Sequence, residues 1–254
     1  YAALKGVRGR KPVDLVALEH LLVRFSKLVV EQPWIAEIDI NPLLVSPDGL
    51  IALDGRVVLH GLDVTEDKLP KLSIRPYPLE YSEDWTSKKG ETIHIRAIRP
   101  EDEPLMVAFH KTLSSDTVYY RYLGLISLDQ RVSHERLTRL CFIDYDRQIA
   151  LVGVWKNPST GVEEIIAVGR IVKEHRYGEG EFAIVVSDHI QGHGIGSELL
   201  QRLVNIGRKE GLNRITGSVL PENRGMLHVC QKLGFEATRI PGEPTLVVRD
   251  LTKP

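Results

Sequence analysis

The chain has 254 residues, 43% of them hydrophobic, and 33 Lys plus Arg against 34 Asp plus Glu leave a formal net charge of -1. That balance builds no field that would draw the molecule to nucleic acid or an anionic membrane, and the apolar share suffices for a sizeable core in one large or two modest domains. No apolar run approaches the roughly 18 residues that cross a bilayer, and the N-terminus lacks the apolar stretch of a secretory leader, so a cytoplasmic setting is expected. The two cysteines, Cys141 and Cys230, make neither a C-x-x-C pair nor a metal-ligand spacing, which fits a reducing compartment without disulfides. The sequence starts at Tyr1, in what reads as the middle of an element, so a piece of a longer protein is expected.

In chain order, Leu15, Leu18, Leu22, Phe25, Leu28 and Val29 recur at helical spacing and predict an amphipathic helix over 12–31, ended by Pro33. The β patterns of 35–45 and 50–60 flank Ser46-Pro47-Asp48-Gly49, whose turn chemistry predicts a hairpin. A helix plus a hairpin, about 60 residues, is marginal as an independent domain. From 66 to 90 the chain turns polar and proline-containing, which predicts a linker. A strand over 93–98 and helices over 101–113 and 129–140 follow. Strands over 149–155 and 164–174 are joined by Asn157-Pro158-Ser159-Thr160-Gly161, a second hairpin signal.

A third strand over 181–187 leads into a glycine-rich turn and then a helix with Leu199, Leu200, Leu203, Val204 and Ile206 on one face. Gly211 stands where a C-cap glycine is favoured. A strand over 214–220, a helix over 224–233 and a strand near 245–249 close the chain.

The chemistry concentrates between Glu181 and Glu198. Gln191-Gly192-His193-Gly194-Ile195-Gly196 offers amides with little side-chain bulk at the positive end of a helix dipole, an arrangement suited to phosphate. The glycines at 192, 194 and 196 do not spell G-x-G-x-x-G, and no Lys-Ser/Thr pair follows, so dinucleotide and P-loop readings weaken. His189 and His193 lie four apart, but on a turn and without a third ligand, so no metal is expected.

The pattern Q-x-x-G-x-G, placed after an apolar strand with a Glu at its start, resembles the acyl-CoA-binding motif of the GNAT superfamily of N-acyltransferases. Downstream, Asn223-Arg224-Gly225-Met226 and Cys230-Gln231-Lys232-Leu233-Gly234-Phe235 resemble that superfamily's N-x-x-A and K-x-G-F segment. The resemblance implies an α/β (α+β) fold over 92–254, a mixed, mostly antiparallel sheet flanked by helices, with acetyl-CoA as co-substrate. It implies Glu181 as general base, in preference to Glu179, and a splayed strand whose amides at Ile184, Val185 and Val186 hold the thioester and pantetheine arm. The diphosphate falls to Gln191, Gly192, His193, Gly194, Ile195, Gly196 and Ser197. Asn223 contacts the CoA, caps the following helix, or does both. Where many members carry a Tyr that reprotonates the thiolate, this chain has Cys230, which reads as a small buried residue.

The N-terminal stretch Ala36 to Val45, followed by Ala52-Leu53-Asp54-Gly55-Arg56, resembles the C-terminal end of the ATP-grasp domain in NDP-forming acyl-CoA synthetases. In that family the residues matching Asn41 and Asp54 hold Mg²⁺ beside ATP. Only this tail, residues 1–62, is matched, so neither an intact ATP site nor a metal is expected, and 63–91 is left as linker. The pairing of the two regions resembles bacterial protein lysine acetyltransferases of the Pat type, as do Ile74-Arg75-Pro76-Tyr77-Pro78 and Tyr119-Tyr120-Arg121-Tyr122. That resemblance implies a protein lysine acceptor on an acyl-CoA synthetase, with no nucleic acid or membrane partner. A small-amine acetyltransferase and a non-catalytic acyl-CoA-sensing module are the alternatives.

Overall fold

A computed structural model describes residues 2–6, 11–70, 72, 75–174 and 178–253. Two positions named above, Tyr1 and Ile74, lie outside the described residues. The chain divides into two compact units, 1–73 and 74–254.

In the first unit, helix α1 (Leu15–Glu31) starts at Asp14, whose carboxylate accepts from the Ala17 amide at 2.9 Å. Four strands follow: β1 (Ile35–Asp39), β2 (Leu43–Ser46), β3 (Gly49–Ala52) and β4 (Arg56–Leu59). The expected hairpin is present but broken. β2 pairs with β3 around the Ser46–Gly49 turn, and β1 pairs separately with β4. Pro42, which has no N–H to offer a ladder, stands at the break, and its carbonyl accepts from Leu53 at 3.1 Å. That bond sets the loops carrying Asn41 and Asp54 side by side. None of α1 is buried, and Leu22 remains 58% exposed, so the apolar stripe read from the sequence forms no core here.

The second unit is built on an eight-stranded sheet in the order β11-β12-β10-β9-β8-β7-β6-β5. Its strands are β5 (Glu83–Thr86), β6 (Thr92–Ala97), β7 (Gln148–Lys156), β8 (Glu163–Glu174), β9 (Glu179–Val186), β10 (Arg214–Val219), β11 (Glu236–Thr238) and β12 (Thr245–Asp250). Every pairing is antiparallel except β9 with β10. Helices α2 (Glu103–Lys111), α3 (Ser115–Tyr122), α4 (Leu128–Val132) and α5 (His134–Cys141) cover one face. Helices α6 (Ile195–Lys209) and α7 (Arg224–Lys232) cover the other.

Leu199, Leu200 and Leu203 of α6 are fully buried, each contributing on the order of 1.5–3 kcal/mol of apolar burial. Gly211 ends α6 with φ of 73°, a left-handed turn that a side chain would resist. Buried Arg96 and Asp102, joined by two bonds of 2.7 Å, tie β6 to the start of α2.

Part of the stretch expected as linker belongs to this unit. β5 is the edge strand of the sheet, and the Tyr77 hydroxyl donates to the Ala97 carbonyl at 2.8 Å. Glu210, just past α6, accepts from Arg75 at 2.7 Å, Tyr81 at 2.9 Å and the buried Lys173 at 3.1 Å. These bonds fasten 75–81 to the end of the helix that begins at the glycine turn. Helix α3 and strand β11 were not expected, and the helix expected over 129–140 is two, separated at Ser133, whose backbone is extended.

Candidate active site

The site begins where β9 and β10 part. β9 and β10 run parallel and pair only from Glu179↔Arg214 to Glu181↔Thr216. Beyond that point β9 stays with β8 as far as Val186, while β10 stays with β12 as far as Val219. A cleft of about 880 Å³ opens between them, lined by Glu181 to Val186 on one side and Ser218, Val219 and Asn223 on the other.

The amides along this open edge alternate. Ser187 donates to the Ile166 carbonyl at 2.8 Å, so by the antiparallel rule Val185 also turns its amide to β8. Ile184 and Val186 turn theirs to the cleft. Gln191 Nε2 donates to the Val186 carbonyl at 3.1 Å, on that same open side. Of the three amides expected to serve the thioester, two therefore face the cleft and Val185 does not.

The glycine turn closes one end of the cleft. Gly192 and Gly194 have φ of 81° and 99°, the left-handed region that glycine occupies without penalty. The Gln191 and His193 amides are spent on the turn itself, donating to Asp188 and Ile190 carbonyls at 3.4 Å each. The amides of Gly192, Gly194, Ile195, Gly196 and Ser197 have no backbone acceptor among the described residues, and three of them are the orphan donors of the first turn of α6. Of the seven residues expected to serve a diphosphate, five have free amides and two do not.

Glu181 sits at the point where β9 and β10 part, exposed to the cleft, with no cation within ion-pair distance among the described residues. Glu179, its rival in the sequence, is paired with Arg214 and does not line the cleft. Asn223 lines it and also caps α7, its side-chain oxygen accepting from Met226 at 3.1 Å. Cys230 is 1% exposed and outside the cleft, and burial pushes its thiol up to about 12, so it offers no ready proton. His189 contacts Ser187 Oγ at 3.0 Å, and His193 Nδ1 contacts Glu91 at 2.9 Å.

Sequence reading missed Lys88, Asp188 and the end of α3. Lys88, in the β5–β6 turn, donates its amide to the His193 carbonyl at 3.2 Å and lays its methylenes 3.5 Å from where a Gly194 side chain would be. Its ammonium has no ion pair among the described residues, beside the anion cradle. Asp188 accepts from Ser114 N at 2.8 Å, Ser114 Oγ at 2.6 Å and Thr117 Oγ1 at 2.9 Å. Burial alone would raise its carboxyl, yet these bonds hold it below its ordinary value and lock α3 to the turn. Arg121, Tyr120 and Leu123 of the α3 end complete the cleft wall beside Glu181, Leu123 being held left-handed at φ of 54°. The signals were present in part: Ser114 is an N-cap residue, but Lys88 meets the turn only through pairing across the sheet.

Comparison with known proteins fits this geometry. The ATP-grasp domain model matches residues 1–59 and the acetyltransferase (GNAT) domain model matches residues 92–236. Acetyltransferase Pat of Mycolicibacterium smegmatis is 26% identical over 200 residues, 71% of this chain and 56% of that one, so the chain spans about half the length of this relative. The first unit is 46% identical over 59 residues to the beta subunit of acetate–CoA ligase [ADP-forming] I of Pyrococcus furiosus, 23% of this chain and 25% of that subunit. The crystal structure of the GNAT domain of S. lividans PAT superposes with a TM-score of 0.61 at 26% identity, covering 68% of this chain and 99% of that one. Five free amides at a helix start, a parting of two parallel strands and an acetyltransferase match across more than half the chain place it in the GNAT family, whose members transfer the acetyl group of acetyl-CoA.

Proposed function

We propose that the chain moves the acetyl group of acetyl-CoA to the ε-amine of protein lysines, with an acyl-CoA synthetase as the target. The observation that carries this reading is Glu181, open to the cleft at the parting of β9 and β10, in the same cleft as the free amides of the glycine turn. Similarity to the Pat relatives, and of the first unit to acyl-CoA ligases, supports the choice of acceptor.

An ammonium is no nucleophile, and removing its proton at pH 7 from a lysine of pKa ~10.4 costs about 4–5 kcal/mol. Glu181 accepts that proton, directly or through a water. The amine nitrogen then bonds to the thioester carbonyl carbon, and negative charge gathers on the carbonyl oxygen. The amides of Ile184 and Val186 receive that charge. The C–S bond breaks as the amide forms, the thiolate departs with the electron pair, and the nitrogen's second proton passes to the thiolate or to solvent. A thiol of pKa ~8.5 is a good enough leaving group that the lack of an acid at Cys230 is tolerated. The five amides of the turn and the start of α6, with Lys88, hold the diphosphate.

The test is acetyl transfer from acetyl-CoA to an acyl-CoA synthetase, read by mass spectrometry of its lysines. Lysine acetylation that depends on the enzyme and disappears in Glu181→Gln is expected. Acetyl-CoA binding without turnover on any amine would overturn the reading in favour of a sensing module, and acetylation restricted to small amines would replace the acceptor.

A further inference from the structure

Four arginines gather on the α2–α5 face of the sheet, none of them in an ion-pair contact with a carboxylate of the described residues. Arg121 ends α3, Arg131 lies on α4, Arg136 on α5, and Arg170 on β8. Among the described residues none of the four has an acidic oxygen within 4.0 Å, whereas Arg96, Arg139, Arg202 and Arg214 of the same unit do. Their partners are neutral. Arg131 donates to the His110 carbonyl at 2.9 Å, and Arg170 to the Leu140 carbonyl at 3.0 Å. Arg121 and Arg136 each lie on the Tyr122 ring, at 5.0 and 5.2 Å from its centroid.

The surroundings deepen the imbalance. His110 is 1% exposed with both ring nitrogens unpartnered, and the Nε of Arg131 and of Arg136 are likewise buried without a partner. Burial first, then Arg131, Arg136 and Arg121, push the His110 imidazole down to about 4, so it adds no charge at neutral pH but offers no anion either. Burial and the neighbouring Arg121 bring even the Arg170 guanidinium down to about 10.

One member of this cluster, Arg121, lines the cleft, and the others lie behind it. Arg170 is directly opposite Ala183 and Glu181 is opposite Val172, so Arg170 and Glu181 are diagonal neighbours on one face of the sheet. Arg121 lines the cleft alongside Glu181 and is within electrostatic reach of it. Left alone, such a wall repels an approaching ammonium. An acceptor that brings its own anion removes the repulsion and satisfies the guanidiniums together.

Resting on the lysine-acetyltransferase reading above, we infer that Arg121, Arg136 and Arg170 form a carboxylate subsite beside Glu181, and that the preferred acceptor carries a carboxylate close to its reacting amine. In a protein acceptor this is an Asp or Glu next to the target lysine. In a small acceptor it is the α-carboxylate of an amino acid.

Two acceptor series and one binding probe test it. Peptides of one sequence carry Glu or Gln beside a single lysine, and free lysine is compared with lysinamide. The Glu peptide is expected to exceed the Gln peptide by about tenfold or more in kcat/KM, the scale of one charge-assisted pair. That ratio should fall to within about twofold in Arg121→Gln and Arg136→Gln and recover in part in Arg136→Lys. Peptides that do not differ, with lysine preferred over lysinamide, would keep the subsite and assign it to small acceptors. Equal turnover in both series, unmoved by either substitution, would overturn the inference. Succinate supplies a readout without turnover: it should raise the melting temperature of the wild type and not that of a folded Arg121→Gln/Arg136→Gln variant. Succinate stabilisation without acetyl transfer would sink the enzymatic reading and retain the subsite, and transfer without succinate stabilisation or charge preference would do the reverse.

Discussion

Gly194 offers the sharpest probe of the anion cradle, because its neighbour Gly196 supplies the control. A Cβ at Gly194 would meet the Lys88 methylenes at 3.5 Å, and a Cβ at Gly196 would meet Val186 Cγ2 at 3.7 Å, both ordinary van der Waals contacts. Space is therefore not at issue in either variant. The backbone is: Gly194 has φ of 99°, a conformation that costs a side-chain-bearing residue about 1–2 kcal/mol, and Gly196 is helical. The two bonds that close the turn before Gly194 are long, 3.4 Å each, so the turn yields before the surrounding fold does. The strain then appears in ligand affinity. Gly194→Ala should raise the Kd for acetyl-CoA by roughly 5- to 30-fold, and Gly196→Ala by less than about threefold, since about 1.4 kcal/mol is tenfold. Calorimetric titration of both variants gives the comparison, and a thermal melt shows that each is folded. Equal affinity in the two variants would mean that the left-handed turn does not present the donors that hold the cofactor, and the cradle would have to be abandoned.

Glu181→Gln keeps the size of the side chain and loses the base, so kcat at pH 7 should fall about 10²- to 10³-fold. The gap should narrow as pH rises toward the acceptor's own pKa of about 10.4, and a pH–rate profile of both proteins reads it. Lys88→Ala should raise KM for acetyl-CoA by roughly three- to tenfold, and turnover of S-acetylpantetheine, which has no diphosphate, should not distinguish the two proteins. Glu210→Gln should lower the melting temperature at neutral pH by unfastening Arg75, Tyr81 and Lys173. Burial raises the Glu210 carboxyl, but hydrogen bonds from Arg75, Lys173 and Tyr81 outweigh it and bring it below its ordinary 4.5. A depressed carboxylate stabilises the fold above its unfolded-state pKa and loses that contribution as pH falls through the folded-state value, so the melts should converge as pH falls below 4.5.

The second unit was legible where the period of the apolar residues changes. The passage from β9 to α6 combines a run of strand formers, glycines that need positive φ, and leucines at helical spacing, and each signal agrees with the next. The β7–β8 hairpin was announced by its Asn-Pro-Ser-Thr-Gly turn. Helix α3 was not, because Val118 is its one buried residue and its Ser, Asp and Thr start reads as loop. β5 and β11 were missed as short strands of four and three residues whose charged members carry little strand preference. Site residues inside the glycine motif could be named from the sequence. Lys88 and the four arginines could not, since they are scattered from residue 88 to 170 and only the fold sets Lys88 and Arg121 in the cleft lining and gathers the other arginines near Arg121. Which amides are free was also illegible, as it depends on strand alternation and on two turn bonds.

The structure of the complex with acetyl-CoA tests the central claim most directly. The diphosphate should lie on the amides of Gly192, Gly194, Ile195, Gly196 and Ser197, and the thioester oxygen within hydrogen-bond reach of the Ile184 or Val186 amide, with Glu181 facing the acetyl carbon. A cofactor seated elsewhere, or one whose thioester points away from the parting of β9 and β10, would contradict the account.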